Sequence, residues 1–177
     1  PMAYWVSENF VKALENGISV DTISDFTGSQ HKTADNDRFL RFFWEVDKNK
    51  IKEKAWIFYI KGGKFRKWYG NIDLVVDWTK TAIEYYSTNV TSNMIKERYW
   101  FQEGITYTSL SSTANGFRYL PPIGVFDIKG PSFIKVQNME YCLAFFNSAV
   151  AHFYFKLLNP TITLQVKDVK NVPLIIA

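Results

Sequence analysis

The sequence predicts an α+β domain: mixed, largely antiparallel sheet with hairpins, packed by one long C-terminal helix. Three observations predict it. Many short runs rich in aromatic and β-branched residues lie between turn residues, as strands require. One stretch near the C-terminus, 138–158, carries apolar residues at helical spacing. Aromatics make up 18% of the 177 residues against 21% charged, enough apolar side chain to pack a core between such layers.

The elements follow in order. Ser7 is placed to cap a short helix with Phe10, Val11 and Leu14 on one face, stopped at Gly17. "VDTISDF" (20–26) reads as a strand, and "TGSQHKTADND" (27–37) as a long polar loop. "RFLRFFWEV" (38–46) reads as a strand, and "KNKIKEK" (48–54) as a charged connection or an extended edge. "AWIFYI" (55–60) and "KFRKWY" (64–69) flank Gly62-Gly63. Glycine tolerates positive φ, so the pair predicts a hairpin turn. "IDLVVDW" (72–78) sets Ile72, Leu74, Val76 and Trp78 opposite Asp73 and Asp77, the alternation of a half-buried strand. Residues 79–100 are helical in part. "GITYTSL" (104–110), "FRYL" (117–120), "VFDI" (125–128) and "SFIKV" (132–136) are strands, with the loop "SSTANG" and the turn "PPIG" among them. Asn138 caps the long helix, whose stripe is Leu143, Phe146, Val150, Phe153 and Leu157; Pro160 follows its end. "TITLQV" (161–166) is a strand, and the tail holds a helical turn. No repeat, low-complexity tract or linker divides 1–177, so a single domain is expected.

Several chemistries are disfavoured. Cys142 is the single cysteine, which excludes an internal disulfide and fits a reducing, cytoplasmic setting. His31 and His152 are too few and too far apart for a structural zinc site. There is no apolar run of membrane-spanning length and no charged-then-apolar signal pattern, so no membrane partner is expected. The chain opens on Pro1 and runs through "AYWV" like mid-protein sequence, so a fragment of a longer polypeptide is expected. No nucleophile elbow, P-loop, dinucleotide fingerprint or H-E-x-x-H occurs. His152 lies beside Phe153 on the helix, where a packed side chain is the plainer reading than a base. Asp35 and Asp37 lack a third ligand and fit turn positions. No catalytic or metal-binding residue is assigned.

Charge distribution points elsewhere. The chain nets +4, yet 48–72 holds eight basic residues against Glu53 alone, which leaves the remainder net acidic. Such a concentration suits a polyanion-binding face. A lysine-guarded sheet edge is the other reading. For DNA, Lys61, Lys64, Arg66 and Lys67 would hold phosphates. Strand alternation would put Lys64 and Arg66 on one face and Phe65 and Lys67 on the other. Trp68 and Tyr69 are expected to pack beneath the charged strand, or else to stack on a base or sugar. Base edges are read by polar side chains. The 27–38 loop offers Ser29, Gln30, His31, Lys32, Asn36, Asp37 and Arg38, and the 111–118 loop adds Asn115 and Arg118.

Several segments together resemble one family. They are "AYWVS" (3–7), "FTGSQHKTADNDRFLRFFWEV" (26–46), "KGGKFRKWYGN" (61–71), "YWFQEGITYTSLSS" (99–112), "FRYLPPIGVFDIKGPSF" (117–133) and "FNSAVAHFYFKLLNPTITLQVKDVKNVPL" (146–174). In this order they resemble the PglX-type adenine-specific DNA methyltransferases of BREX phage-defence systems, and related fused restriction-modification enzymes. The resemblance implies a target recognition region, similar to the specificity domains of restriction-modification systems. It implies double-stranded DNA, the parent's methyltransferase domain and other defence-system subunits as partners. It also implies a parent enzyme that flips an adenine and methylates N6 with S-adenosylmethionine. That cofactor's site and the N-P-P-[YFW] motif have no counterpart here, since Asn159-Pro160 is followed by Thr161. No cofactor is therefore expected in this fragment. Relatives commonly carry a second glycine and fewer residues before "DNDRF", so the 27–38 loop departs from the pattern. The alternative function is a protein-interaction module that docks on a defence or restriction complex.

Overall fold

The computed structural model describes residues 6–26, 30–110 and 115–175. Helix α1 (Glu8–Asn16) starts where Ser7 Oγ accepts from the Phe10 N–H, and Gly17 follows its end. Phe10 stacks on Tyr154 at 4.0 Å, while Val11 and Leu14 stay exposed. The strand expected over 20–26 is a 3-10 turn, Val20–Thr22, followed by a short β1 (Asp25–Phe26). Ser19 caps that turn by accepting from the Asp21 N–H. The run 38–46 also breaks up. Asp35 accepts from the Arg38 N–H and starts the single helical turn α2 (Asn36–Phe39). Then come β2 (Leu40–Phe42) and a 3-10 turn, Phe43–Glu45. The charged stretch after Asp47 is a short helix, α3 (Lys48–Lys52), because the Asp47 carboxylate caps it.

The next elements are β3 (Trp56–Ile60), β4 (Leu74–Asp77) and α4 (Lys80–Thr88), the last capped by Thr79. They are followed by β5 (Gly104–Tyr107), β6 (Phe117–Leu120), β7 (Gly124–Phe126) and β8 (Ser132–Ile134). The chain closes with α5 (Met139–Phe146), α6 (Ala149–Leu158) and α7 (Val166–Lys170).

These strands form two four-stranded sheets. One, ordered β1-β8-β5-β6, is antiparallel throughout. The other, β2-β4-β3-β7, is antiparallel except where β3 and β7 run parallel. The α+β class with mixed and antiparallel sheets is therefore as expected. Helices α5, α6 and α7 cover the first sheet, where Phe117 stacks on Phe146 at 4.9 Å and on Phe155 at 5.6 Å. Each such stack adds ~1 kcal/mol beyond its area burial. The second core joins β3, β4 and β7 to α4 through Ile57, Val76, Tyr86 and Val125.

Three further expectations fail for physical reasons. The hairpin 55–60/64–69 does not form: β3 pairs with β4 and β7, and 61–73 is an excursion between β3 and β4. Gly62 and Gly63 are not the turn, because positive φ falls instead on Trp68, Gly70 and Asn71. Gly62 answers a different need. A Cβ there would sit 2.3 Å from the Lys129 carbonyl oxygen, closer than any side chain can approach. The long C-terminal helix is two helices. Asn147 leaves the helix to pair with the backbone of Phe117, its Oδ1 accepting from Phe117 N (3.0 Å) and its Nδ2 donating to Phe117 O (2.8 Å). Ser148 then caps α6. Finally, 161–166 makes one bridge, Leu110 to Thr163, rather than a strand. No helix among the described residues is long and apolar enough to cross a membrane.

Candidate nucleic-acid interface

The excursion 61–73 is basic, and its backbone is tied at several points. Gly63 N–H donates to Thr108 Oγ1 (3.3 Å), and Asn71 Nδ2 donates to Lys64 O (3.0 Å). Trp68 adds to the free edge of β6: its N–H donates to Phe117 O (2.9 Å), and Tyr119 N–H donates to Trp68 O (2.8 Å). With φ of 72° at Trp68, the ring points outward. Phe65, Trp68 and Tyr69 are all more than half exposed, so the packing expected beneath the basic strand is absent.

Two depressions adjoin at Lys61. One, about 290 Å³, is lined by Phe42, Lys61, Lys64, Arg66, Asn71 and Asp73 among others. The second, about 310 Å³, is lined by Lys32, Thr33, Asn36, Lys61, Asp127 and Lys129 among others. The 30–38 segment and the basic excursion thus meet on one surface. Among the described residues, the ion pairs are Lys135–Asp25 and Lys170–Asp21. Lys32, Lys61, Lys64, Arg66 and Lys129 therefore stand without a carboxylate partner. Lys67 is different. Its Nζ donates to Asn147 O at 2.8 Å, at the C-terminal end of α5, where a cation meets the negative end of the helix.

The named base readers divide sharply. Ser29 lies outside the described residues. Asn36, Asp37 and Arg38 are exposed on α2, with the Arg38 guanidinium over the Phe39 and Tyr85 rings at 4.7 and 5.1 Å. Gln30 is half-buried, and its carbonyl accepts from Asn93 Nδ2. Lys32 is exposed and held by paired backbone bonds to Asn93. Asn115 turns inward to donate to Thr108 O at 2.8 Å.

His31 is fully buried, and base contact by its ring is ruled out by this enclosure. Tyr59, Trp78 and Tyr86 surround it edge-on, at 5.7, 5.2 and 4.6 Å between ring centroids. Neither ring nitrogen has a hydrogen-bond partner among the described residues, and burial pushes the pKa down to about 4. The imidazole is neutral at physiological pH and serves as an anchor. The Tyr59 hydroxyl reinforces it, shared between the His31 carbonyl (2.9 Å) and Asp127 Oδ2 (2.6 Å). Burial, then the Asp127 charge, raises the Tyr59 pKa well above its usual value.

Arg118 is likewise fully enclosed and does not present its guanidinium to a ligand at the surface. Its Nη1 donates to Thr108 Oγ1 and Gly116 O, both at 3.2 Å, while Nε and Nη2 have no partner among the described residues. Burial, then the nearby Arg66 charge, lowers its pKa to about 10, so it stays protonated at neutral pH. A buried positive charge thus lies behind the exposed Arg66.

Two contributors are absent from the sequence-based set. Lys129 comes from the turn "DIKG", where Asp127 Oδ1 accepts from Lys129 N–H (2.7 Å). That turn pattern was a readable signal. Phe42 reaches the first depression from β2, and nothing in the local sequence connects it to Lys61.

No protein-family profile matches the chain. PglX of Lacticaseibacillus casei (strain Zhang), an adenine-specific methyltransferase, is 31% identical over 194 aligned residues, covering 98% of this chain. BrxX of Escherichia coli O9:H4 (strain HS), also an adenine-specific methyltransferase, is 29% identical over 188, covering 99%. The chain matches a region of the PglX-type methyltransferases. It spans only 16% and 15% of the length of these two relatives. The cation cluster draws Lys32 from 26–46, Lys61, Lys64 and Arg66 from 61–71, and Lys129 from 117–133. All three segments are among those that carry the resemblance.

Proposed function

We propose that this chain is a double-stranded DNA recognition region of an adenine-N6 methyltransferase in phage defence, working in the cytoplasm. Similarity along nearly the whole chain to two adenine-specific methyltransferases supports the enzyme class. The observation that carries DNA binding is the surface around Lys61. Five cations from three segments converge there, and none has a carboxylate partner among the described residues. Unpaired cations on one surface are what counterion release from a duplex requires. Lys61, Lys64 and Arg66 hold phosphates on one side, and Lys32 and Lys129 on the other. Asn36, Asp37 and Arg38 then face the grooves. The methyltransferase domain, with its S-adenosylmethionine, belongs to other parts of the full-length protein.

The test is binding of the full-length protein to duplex DNA over a range of salt concentrations. Replacing Lys61, Lys64 and Arg66 together by alanine lowers affinity and flattens the plot of log K against log salt by about 2.7, near 0.9 for each phosphate no longer neutralised. An unchanged slope refutes the phosphate role.

A second reading draws on a separate observation. Phe65, Trp68 and Tyr69 are exposed within four positions of one another, and exposed aromatic groups are what a docking surface offers. This face meets the enzyme's own methyltransferase domain or another subunit of the defence complex. Replacing Trp68 and Tyr69 by alanine then weakens that association and leaves the salt slope intact.

A further inference from the structure

The first depression is more than a row of cations. Phe42 forms part of its wall, beside Lys61, Lys64 and Arg66. Trp44 stacks on Phe42, with centroids 4.6 Å apart and planes 7° from parallel. Both rings are exposed, Phe42 by 43% and Trp44 by 61%. Two large rings stacked on each other in water, next to unpaired positive charge, have a low-cost use as a stacking platform. The platform is fixed in advance. Glu45 Oε2 accepts from the Phe42 N–H at 2.7 Å, which closes the 3-10 turn and folds Trp44 back over Phe42. Phe43 N–H donates to Asp73 O (2.9 Å), fastening the turn to the approach of β4.

The polar groups of the same wall complete a nucleotide's requirements. Asn71 spends its Nδ2 on Lys64 O, which leaves Oδ1 as an acceptor. Asp73, an acidic residue, also lines the wall. Acceptors at this position suit a base with an exocyclic amino group.

We infer that this depression seats one nucleotide unstacked from its neighbours. The base lies against the Phe42–Trp44 pair, and its phosphate meets Lys61, Lys64 and Arg66. The inference rests on the DNA-binding reading above and adds to it a base-dependent component. Phosphate clamping alone has none.

The experiment compares binding of the full-length protein to a single-stranded oligonucleotide of mixed sequence, to an abasic strand with the same phosphates, and to the intact duplex. Stacking on an aromatic residue strengthens binding by about tenfold per base. The F42A/W44A variant is expected to lose about tenfold on the mixed-sequence strand. Its affinity for the abasic strand and the duplex stays unchanged. W44F, which keeps a ring, retains most of the advantage and controls for folding. An equal loss on all three ligands overturns the proposal. So does an unchanged affinity on the mixed-sequence strand, including the case where the pair instead contacts a protein partner. If K61A/K64A/R66A weakens no ligand, the DNA-binding reading itself fails, and that result is distinct from failure of the stacking site.

Discussion

Arg66 and Arg118 carry the same charge and lie close enough to repel, yet Arg66 is exposed and Arg118 is enclosed. Lys32 and His31, adjacent in sequence, divide the same way. Arg66 and Lys32 are exposed and without a carboxylate partner among the described residues; Arg118 and His31 are enclosed, with Arg118 Nε and Nη2 and both His31 ring nitrogens finding no hydrogen-bond partner among those residues. Residue type does not separate a reader from an anchor; burial does. The enclosed member of each pair fixes a segment, and the exposed member is left open to solvent. His31 docks the 30–35 stretch into the aromatic box of the second core, and that docking carries Lys32 to the rim beside Lys61.

The largest expected effect concerns His31. Its folded pKa of about 4 lies below the unfolded value of 6.5. Above pH 6.5 the ring is neutral in both states and carries no penalty. As pH falls towards 4 the unfolded state takes up the proton first, so stability is lost progressively over this window, roughly 3 kcal/mol at the end. Unfolding of the 177-residue chain at a series of pH values should show this drop. H31F should flatten it; an unchanged acid profile in that variant would show that the ring is not the buried, proton-refusing group described here.

Arg118 comes next. No carboxylate among the described residues pairs with it, so replacing it with an apolar side chain of similar length removes a desolvation cost along with two hydrogen bonds. R118M is expected to change stability at neutral pH by less than about 1 kcal/mol. Because its folded pKa is lowered, the wild type gains stability relative to R118M as pH rises above about 10. A severe loss in R118M at neutral pH would mean that the guanidinium is paired after all.

Much of the fold was legible. β4, β5, β6, β7 and β8 were visible as short aromatic and β-branched runs, and α1 through its Ser7 cap, because those signals are local. What failed depends on distant partners. The Gly62-Gly63 pair resembles a turn, but β3 finds its neighbours at 74–77 and at 124–126, a pairing no local pattern encodes. The apolar stripe runs in phase across 139–158, so nothing in its period marks the break. The break comes from Asn147 bonding to Phe117, thirty positions away. The site was half legible. Charge density pointed to Lys61, Lys64 and Arg66 as phosphate holders, but exposure was invisible, so the enclosed His31 and Arg118 were counted among the base readers, and Phe42 and Lys129 were absent from both sets.

The central claim is that uncommitted cations meet DNA while committed ones hold the fold. Lys64 and Lys67, three positions apart, test it most directly through the salt dependence of duplex binding measured alongside thermal stability. K64A should reduce the log–log slope by about 0.9 and leave stability unchanged. K67A should leave the slope unchanged and cost about 0.5–1 kcal/mol of stability, the worth of a cation at a helix C-terminus. A slope that falls with K67A and not with K64A would contradict the account.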